Sequence, residues 1–557
     1  MSVALAAVYT RLWTVELILD LAGYTADTDL VDKIAVEPAA GDGAFLVPMV
    51  ERLVASCRRQ KRPITDCASS LVSYELDADS AQIAQRAVVT MLLELGVSGP
   101  IADRLAQGWI KQGDYLLERG RQEKSGLFDL EESPHNSDVD FVIGNPPYIR
   151  LEDIPTDKNR EYRRLYQTMR GRSDIYVAFF EAALRQLKPG GVCAFICADR
   201  WMLNQYGGEL RSFITSRYSV EAVIEVHKAT VFETDVSAYP AITIIRREAQ
   251  GPAVVASANG ETNTTVAAEA ASLLQSLRLR GNGAKLPRGV RACRTETWFN
   301  GSEPWPCTSP ERLALLKDLE RRFQPLESKA TGTKVGIGVA TGLDEVYLTN
   351  DPQLVEPDRL LPLARTSDIS TGTLKWSGHY LINPWSKEGL VSLEDFPRLK
   401  SYYENHRARL EKRNVAKRDA RNWYRTIDRV NIALVKQSKL YIPDIKNTIH
   451  PVLDDGLSYP HHNLYVLTSS GWDLRVLGAL LMSDVGRFFV ECYGVRMRGG
   501  YLRMQAQYLR RIRVPKPESI STDNAEILAE AFNNRDNELA TRIALELYGI
   551  DHVPSES

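Results

Sequence analysis

Six short apolar runs alternating with amphipathic stretches constrain the first half of this 557-residue chain more than any other feature. The runs are residues 33–37, 71–75, 141–144, 192–197, 222–226 and 241–246, with helical patterns between them such as 79–95 and 175–187. Apolar runs of this length, bounded by turn residues, read as strands. Strands that alternate with helices predict an α/β fold with a doubly wound parallel sheet, Rossmann-like in its layers. Such sheets bind ligands outside the carboxyl ends of their strands, so the residues following each run are where chemistry is expected.

The alternation stops near residue 250. Residues 248–290 are rich in Ala, Thr, Asn and Gly and contain the turn-prone Arg280-Gly-Asn-Gly-Ala. They read as the tail of a first domain, 1–250, followed by a connection, 251–290. From 291 the rhythm changes to short strands, turns and helices with many aromatics, so 291–517 reads as a second, α+β domain. The tail, 518–557, reads as an acidic amphipathic helix over 523–548. The net charge of −2 conceals an asymmetry: residues 1–250 carry 28 Lys+Arg against 35 Asp+Glu, 401–517 carry 21 against 10, and 518–557 carry 2 against 9. Clustered cations neutralise phosphates, so the block 401–517 points to a nucleic-acid partner. Within it, residues 407–429 place nine Lys+Arg around Trp423 and Tyr424, a pattern that a solvated helix face explains equally well.

Composition excludes other classes. With 44% apolar and 25% charged residues, the chain is neither disordered, collagenous nor a disulfide scaffold. No apolar stretch approaches the roughly 20 residues that cross a bilayer. The N-terminal MSVALAAVYTRLW lacks a basic n-region, so no membrane span and no signal peptide are expected. Seven cysteines without a C-x-x-C pair fit a reducing cytoplasm, and Cys193 and Cys197 read as core residues. The histidines show no ligand spacing. His461 and His462 are adjacent, but neighbouring side chains usually point apart, so a plain loop is expected there and no metal.

Three strand ends carry polar signals. The first run leads into Glu37-Pro-Ala-Ala-Gly-Asp-Gly-Ala-Phe45, an acidic residue followed by a small-residue turn that opens a helix. Gly41 and Gly43 let a ligand approach the backbone, and the helix start offers free N–H groups; a plain tight turn is the alternative. The second run ends at Glu75, suited to bidentate hydrogen bonding with ribose hydroxyls. Asp114, in Gly113-Asp-Tyr-Leu, is placed either to accept from an adenine amino group or to cap a helix. The third run gives Asp140-Phe-Val-Ile-Gly-Asn145-Pro-Pro-Tyr148. Pro146 and Pro147 remove N–H donors and leave carbonyls exposed. The Asn145 amide oxygen and a neighbouring carbonyl then match the two protons of an exocyclic NH2, and Tyr148 offers a face on which a base stacks.

These motifs in this order resemble the S-adenosylmethionine-dependent amino-methyltransferases, and specifically adenine-N6 DNA methyltransferases of the gamma arrangement, such as the TaqI and Eco57I modification enzymes. The resemblance covers residues 1 to about 517 and is most specific between 34 and 245. It implies a class I methyltransferase domain followed by a target recognition domain at 291–517. Thr10, with 16–22, resembles the N-terminal cofactor motif, although Arg11 stands where a proline is usual. Asp174-Ile-Tyr-Val-Ala-Phe179 resembles the helix whose aromatic packs on the cofactor adenine, and Phe232 resembles the aromatic that sandwiches the flipped base against Tyr148. By this resemblance Glu37, Ala39, Gly41 and Gly43 hold the amino-acid part of S-adenosylmethionine and Glu75 its ribose. Asp114, Tyr115 and Phe179 surround its adenine. Asn145, Pro146 and Tyr148 hold the target base, which must be flipped out of double-stranded DNA to reach them. Asp174 and Asp199 are weaker candidates for a general base.

The second half holds Lys334-Val-Gly-Ile-Gly-Val-Ala-Thr-Gly342, similar to a recurrent sequence at the start of the recognition domain in such enzymes, and residues 508–517, similar to the strand that closes it. Arg496 and Arg498, in a glycine-containing run, are the candidates for phosphate or guanine contacts. An RNA-adenine or protein-glutamine methyltransferase and a catalytically silent DNA-binding subunit are the competing classes. The large basic second half disfavours the glutamine enzymes, and the intact motifs disfavour the silent subunit. No room is left for a fused nuclease, so any restriction activity belongs to a separately encoded endonuclease. Arg496→Ala and Arg498→Ala are expected to weaken DNA binding more than cofactor binding; unchanged DNA affinity at matched salt removes both residues from the interface.

Overall fold

The computed structural model describes residues 10–125, 139–233, 239–259, 264–281, 285–306, 308–494 and 501–555. It divides into two compact units, Met1–Leu313 and Ala314–Ser555. The first is built on one nine-stranded sheet of β1 (Ala35–Glu37), β2 (Leu71–Glu75), β3 (Ile110–Gln112), β4 (Val139–Gly144), β5 (Leu187–Ala198), β6 (Ser219–Lys228), β7 (Pro240–Arg246), β8 (Ala253–Asn259) and β9 (Val290–Thr295). Their order is β3-β2-β1-β4-β5-β7-β6-β8-β9. β1 is parallel to both β2 and β4, β2 to β3, and β4 to β5, whereas β7 runs antiparallel to β5 and β6. Strand order reverses at β1, which opens a crevice at the carboxyl ends of β1 and β4.

Period-two alternation explains the two helical layers. Ala35, Ile143, Ala194 and Ile196 face the core beneath α1 (Leu12–Ala22), α2 (Leu46–Arg59), α3 (Ala78–Glu94) and α4 (Gly99–Trp109). Val36, Val142, Cys193, Phe195 and Cys197 face the opposite core, under α5 (Tyr115–Ser125), α6 (Thr156–Leu165) and α7 (Tyr176–Gln186). Strands covered on both sides read as continuous apolar runs, and Cys193 and Cys197 are core residues as expected. One charge interrupts β4: buried Asp140 accepts from Ile34 N at 3.0 Å and meets Lys33 Nζ at 3.2 Å and Lys188 Nζ at 2.5 Å.

The domain boundaries differ from the expected ones. Residues 251–290 are not a connection, because β8 pairs in parallel with β6 and β9 pairs antiparallel with β8, extending the sheet. Small side chains such as Ala256 and Ala258 suit burial under the helix Thr264–Arg280, which is why this stretch does not read as a strand. The acidic tail belongs to the second unit and forms two helices, Thr522–Asn534 and Asn537–Tyr548, rather than one. They are separated by Arg535 at φ 57° and by Asp536, whose carboxylate accepts from Leu539 N.

The second unit is α+β. Lys334–Ile337, Leu464–Thr468, Ser438–Pro443 and Val452–Asp455 form one antiparallel four-stranded sheet. Leu348–Thr349, Tyr380–Ile382, Leu360–Ala364 and Tyr459–Pro460 form another. Among the described residues no helix is long and apolar enough to cross a membrane. Asp140→Ala strands two ammonium groups and one backbone N–H. Because each lysine is 36% exposed, solvent screens part of the loss, and a decrease of about 2 kcal/mol is expected in denaturant unfolding.

Candidate active site

A cavity of about 320 Å3 opens where β1, β2 and β4 end, within the roughly 300–1,000 Å3 typical of small-molecule sites. Its lining includes Thr10, Glu37, Ala39, Gly41, Glu75, Asp114, Tyr115, Asn145, Pro146, Tyr148 and Phe179. Residues far apart in sequence and singled out by separate motifs therefore face one space.

The loop after β1 is a backbone construction. Gly41 and Gly43 adopt φ 56° and 99°, which side chains resist. Ala40 N donates to Tyr74 O at 2.8 Å and Gly41 N to Glu75 Oε2 at 2.8 Å, so the loop is tied to the end of β2. Gly43 is not part of the lining; it shapes the turn into α2, with Val47 N donating to its carbonyl at 2.9 Å. A Cβ on Gly144 would come within 3.2 Å of Pro38 Cδ, so that glycine lets the ends of β1 and β4 close up.

On the other side, Asn145 Nδ2 donates to Thr10 Oγ1 at 3.1 Å, which defines the carbonyl end of the amide. The segment beginning at Thr10 is held to residues 230–232. Arg11 N donates to Val231 O at 2.8 Å, Arg11 Nε to Phe232 O at 3.0 Å, and Trp13 Nε1 to Thr230 O at 3.3 Å. A proline at position 11 has no N–H for the first of these bonds. Tyr115 and Phe179 stack at 5.5 Å and 24°. The Tyr148 hydroxyl is buried, with no hydrogen-bond partner among the described residues.

The Eco57I restriction-modification methylase family matches residues 69–232. The chain is 43% identical to the Type II methyltransferase M.PaeR7I of Pseudomonas aeruginosa over 99% of its own length and 92% of that protein's. The chain belongs to the Type II methyltransferases. It is also 40% identical to M.XhoI of Xanthomonas vasicola, over 98% of this chain and 97% of that one. The solved Type IIL restriction-modification enzyme MmeI, in complex with DNA, has a similar fold: TM-score 0.57 at 11% identity, covering 98% of this chain and 75% of MmeI. The Rossmann-like domain of this Type II methyltransferase is thus the expected class I methyltransferase fold.

Four expected residues of the methyltransferase have surroundings that their motifs do not show. Phe232 is buried and is not part of the cavity lining. Its ring lies 6.2 Å from that of Tyr148 at 81°, so the two form an edge contact, not parallel faces around a base. Asp114 lines the cavity but also caps α5 through Leu117 N and accepts from Tyr162 Oη at 2.7 Å and Lys158 Nζ at 3.2 Å. The capping reading therefore holds, and the α6 partners carry no motif that would reveal them. Asp174 and Asp199 do not line the cavity; Asp199 Oδ2 lies 2.9 Å from His227 Nε2.

In the second unit, Arg496 and Arg498 lie outside the described residues. The aromatics of 407–429 pack inward. Trp423 is buried in an apolar core, Tyr424 Oη donates to Val391 O, and Arg407 and Arg413 sit over the rings of Trp423 and Tyr347.

Electrostatics single out Glu37. Burial pushes its carboxyl up to about 8, against a hydrogen bond that Ser73 Oγ donates at 3.0 Å, with Glu75 and Asp42 adding repulsion. The folded state therefore holds this proton more tightly than the unfolded chain does. The stability that Glu37 contributes is full below about 4.5 and is lost as pH rises towards 8. Unfolding midpoints of wild type relative to Glu37→Gln are expected to fall across that window and level off above it; parallel curves refute the buried, protonated carboxyl.

Proposed function

We propose that this Type II methyltransferase transfers a methyl group from S-adenosylmethionine to N6 of an adenine flipped out of double-stranded DNA, as the modification partner of a separately encoded restriction endonuclease. One observation carries the reading: Glu37, Gly41, Glu75, Asp114 and Phe179 share a single cavity with Asn145, Pro146 and Tyr148. The first group suits a nucleoside that carries a charged amino-acid tail. The second suits an aromatic amine.

The residues present fit the cofactor. Glu37 and the left-handed loop at Gly41 receive the amino-acid end, Glu75 the ribose, and Tyr115 and Phe179 the adenine with Asp114 at its edge. Glu75 now accepts from Gly41 N and Asp77 N, so its carboxylate is already oriented. When bound, the cofactor supplies an electrophilic methyl group on a sulfonium.

The chain's own contribution is positioning and electrostatics. Adenine N6 is a poor nucleophile because its lone pair is delocalised into the ring. The Asn145 side-chain oxygen and the Pro146 carbonyl each accept one N6 hydrogen, which favours a pyramidal nitrogen with a directed lone pair. The Thr10 hydroxyl holds the amide in that orientation. Tyr148 gives the base a stacking face, with the Phe232 ring in edge contact beside it. No cysteine nucleophile takes part, and the surplus N6 proton departs to water after transfer.

We assign DNA recognition to the second unit, whose segment 401–517 carries the basic excess. Arg496 and Arg498 remain its candidate contacts. DNA in the solved MmeI complex supports the substrate class. Single-molecule sequencing of genomic DNA from cells expressing the wild type should show N6-methyladenine at one short motif. Asn145→Ala should lose about a hundredfold to a thousandfold in transfer, consistent with removal of a transition-state acceptor, while cofactor binding persists. Turnover by that variant at the wild-type rate removes the acceptor role. Absence of modified adenine in both samples shifts the substrate to RNA or a protein amide.

A further inference from the structure

His461 and His462 do not point apart. Tyr459–Pro460 pairs in parallel with Leu363–Ala364, and His461 N then donates to Ala364 O at 3.0 Å. Val339 N donates to Pro460 O at 3.0 Å, and Leu464 N to His461 O at 2.8 Å. The chain turns sharply here, and the two imidazole centroids come within 4.0 Å at 53°.

The loop after Lys334–Ile337 lies against this turn with no room to spare. A Cβ on Gly338 would fall 2.1 Å from His461 O. The loop delivers Asp344, whose Oδ1 accepts from Thr341 Oγ1 at 2.5 Å. Oδ2 lies 2.9 Å from His461 Nε2 and 4.0 Å from His462 Nδ1. One ligand atom from each residue lies within 4.8 Å of the others. Four-coordinate zinc, with bonds of about 2.0–2.2 Å to nitrogen and oxygen, sets its ligand atoms about 3.3 Å apart. The observed separations bracket that value.

A plain His461–Asp344 hydrogen bond accounts for two of the three residues. It leaves His462 unexplained, because His462 Nδ1 is buried with no hydrogen-bond partner among the described residues. A buried nitrogen in that state costs free energy that a ligand bond recovers. The neighbouring cation Arg365 directs a guanidinium nitrogen to His379 Nε2 at 2.8 Å.

We propose that Asp344, His461 and His462 form a structural binding site for a borderline divalent transition-metal ion, Zn2+ foremost, which pins the 338–344 loop to the turn at 459–464. Two imidazoles and one carboxylate suit zinc and disfavour the all-oxygen shells of magnesium and calcium. Three protein ligands leave one tetrahedral position for solvent. The site is independent of the methyl-transfer cavity.

The test uses the tag-free full-length chain, treated with chelator, dialysed and titrated with Co2+ alone. Wild type should bind one Co2+ with the visible bands of a nitrogen–oxygen site, and Zn2+ should displace it. His462→Ala and Asp344→Asn should each weaken binding at least about tenfold, and Zn2+ should raise the thermal unfolding midpoint of wild type but not of His462→Ala. His462 is partly exposed, so that variant keeps the test open if Asp344→Asn folds poorly. No binding below about 0.1 mM overturns the proposal, since so weak a site stays largely empty at ordinary metal concentrations. Wild-type affinity in both variants, or sulfur charge-transfer bands, also overturns it, because the ion then sits elsewhere.

Discussion

Parallel pairing of β1 with both β2 and β4 is the constraint from which the site follows. It brings three strand ends to one edge of the sheet, and each ends in a polar residue that the strand itself cannot satisfy. Glu37, Glu75 and Asn145 meet because Ala35 is in register with both Leu71 and Phe141. The glycines are consequences of the same closeness: Gly144 gives the end of β1 room, and Gly41 and Gly43 turn the chain away before it fills the crevice. Shifting β1 by one residue would exchange its two buried faces and move the carboxyl out of the cavity.

The two buried acids of this strand pair are handled differently. Near the amino end of β4, Asp140 is met by two lysines and a backbone N–H. At the carboxyl end of β1, Glu37 has one hydroxyl and two like-charged neighbours, and burial raises its proton affinity. The first arrangement is compensated within the fold. The second leaves an acid whose charge becomes favourable only when a cation arrives.

The central strands and the residues at their ends were legible in the sequence because double-sided burial writes an unbroken apolar run and a strand end must break it. β3 was not, since its three residues include exposed Lys111 and Gln112. β8 was missed because its alanines, serine and asparagine also spell a connection, and β9 because Arg291 and Arg294 interrupt any apolar run. Lys158 and Tyr162 reach Asp114 from a helix that faces the site by tertiary packing alone. The arginines and aromatics of 407–429 left two readings open for a related reason: a guanidinium over an indole is equally good inside a domain and on its surface. The meeting of His461 with His462 depends on a turn set by pairing with residue 364, which no local pattern encodes.

The wall that closes the cavity joins distant parts of the chain. Thr10 reaches Asn145 across 135 positions and Arg11 reaches Phe232 across 221. During synthesis the turn at Gly41 can form early, but the N-terminal segment has no partner until residues 230–232 have emerged. A small molecule that stabilises the finished pocket cannot assist the chain before that point. The segment at Thr10 and Arg11 therefore closes the cavity wall only once about 230 residues have been made, and mass action by a ligand on the finished pocket begins only after that.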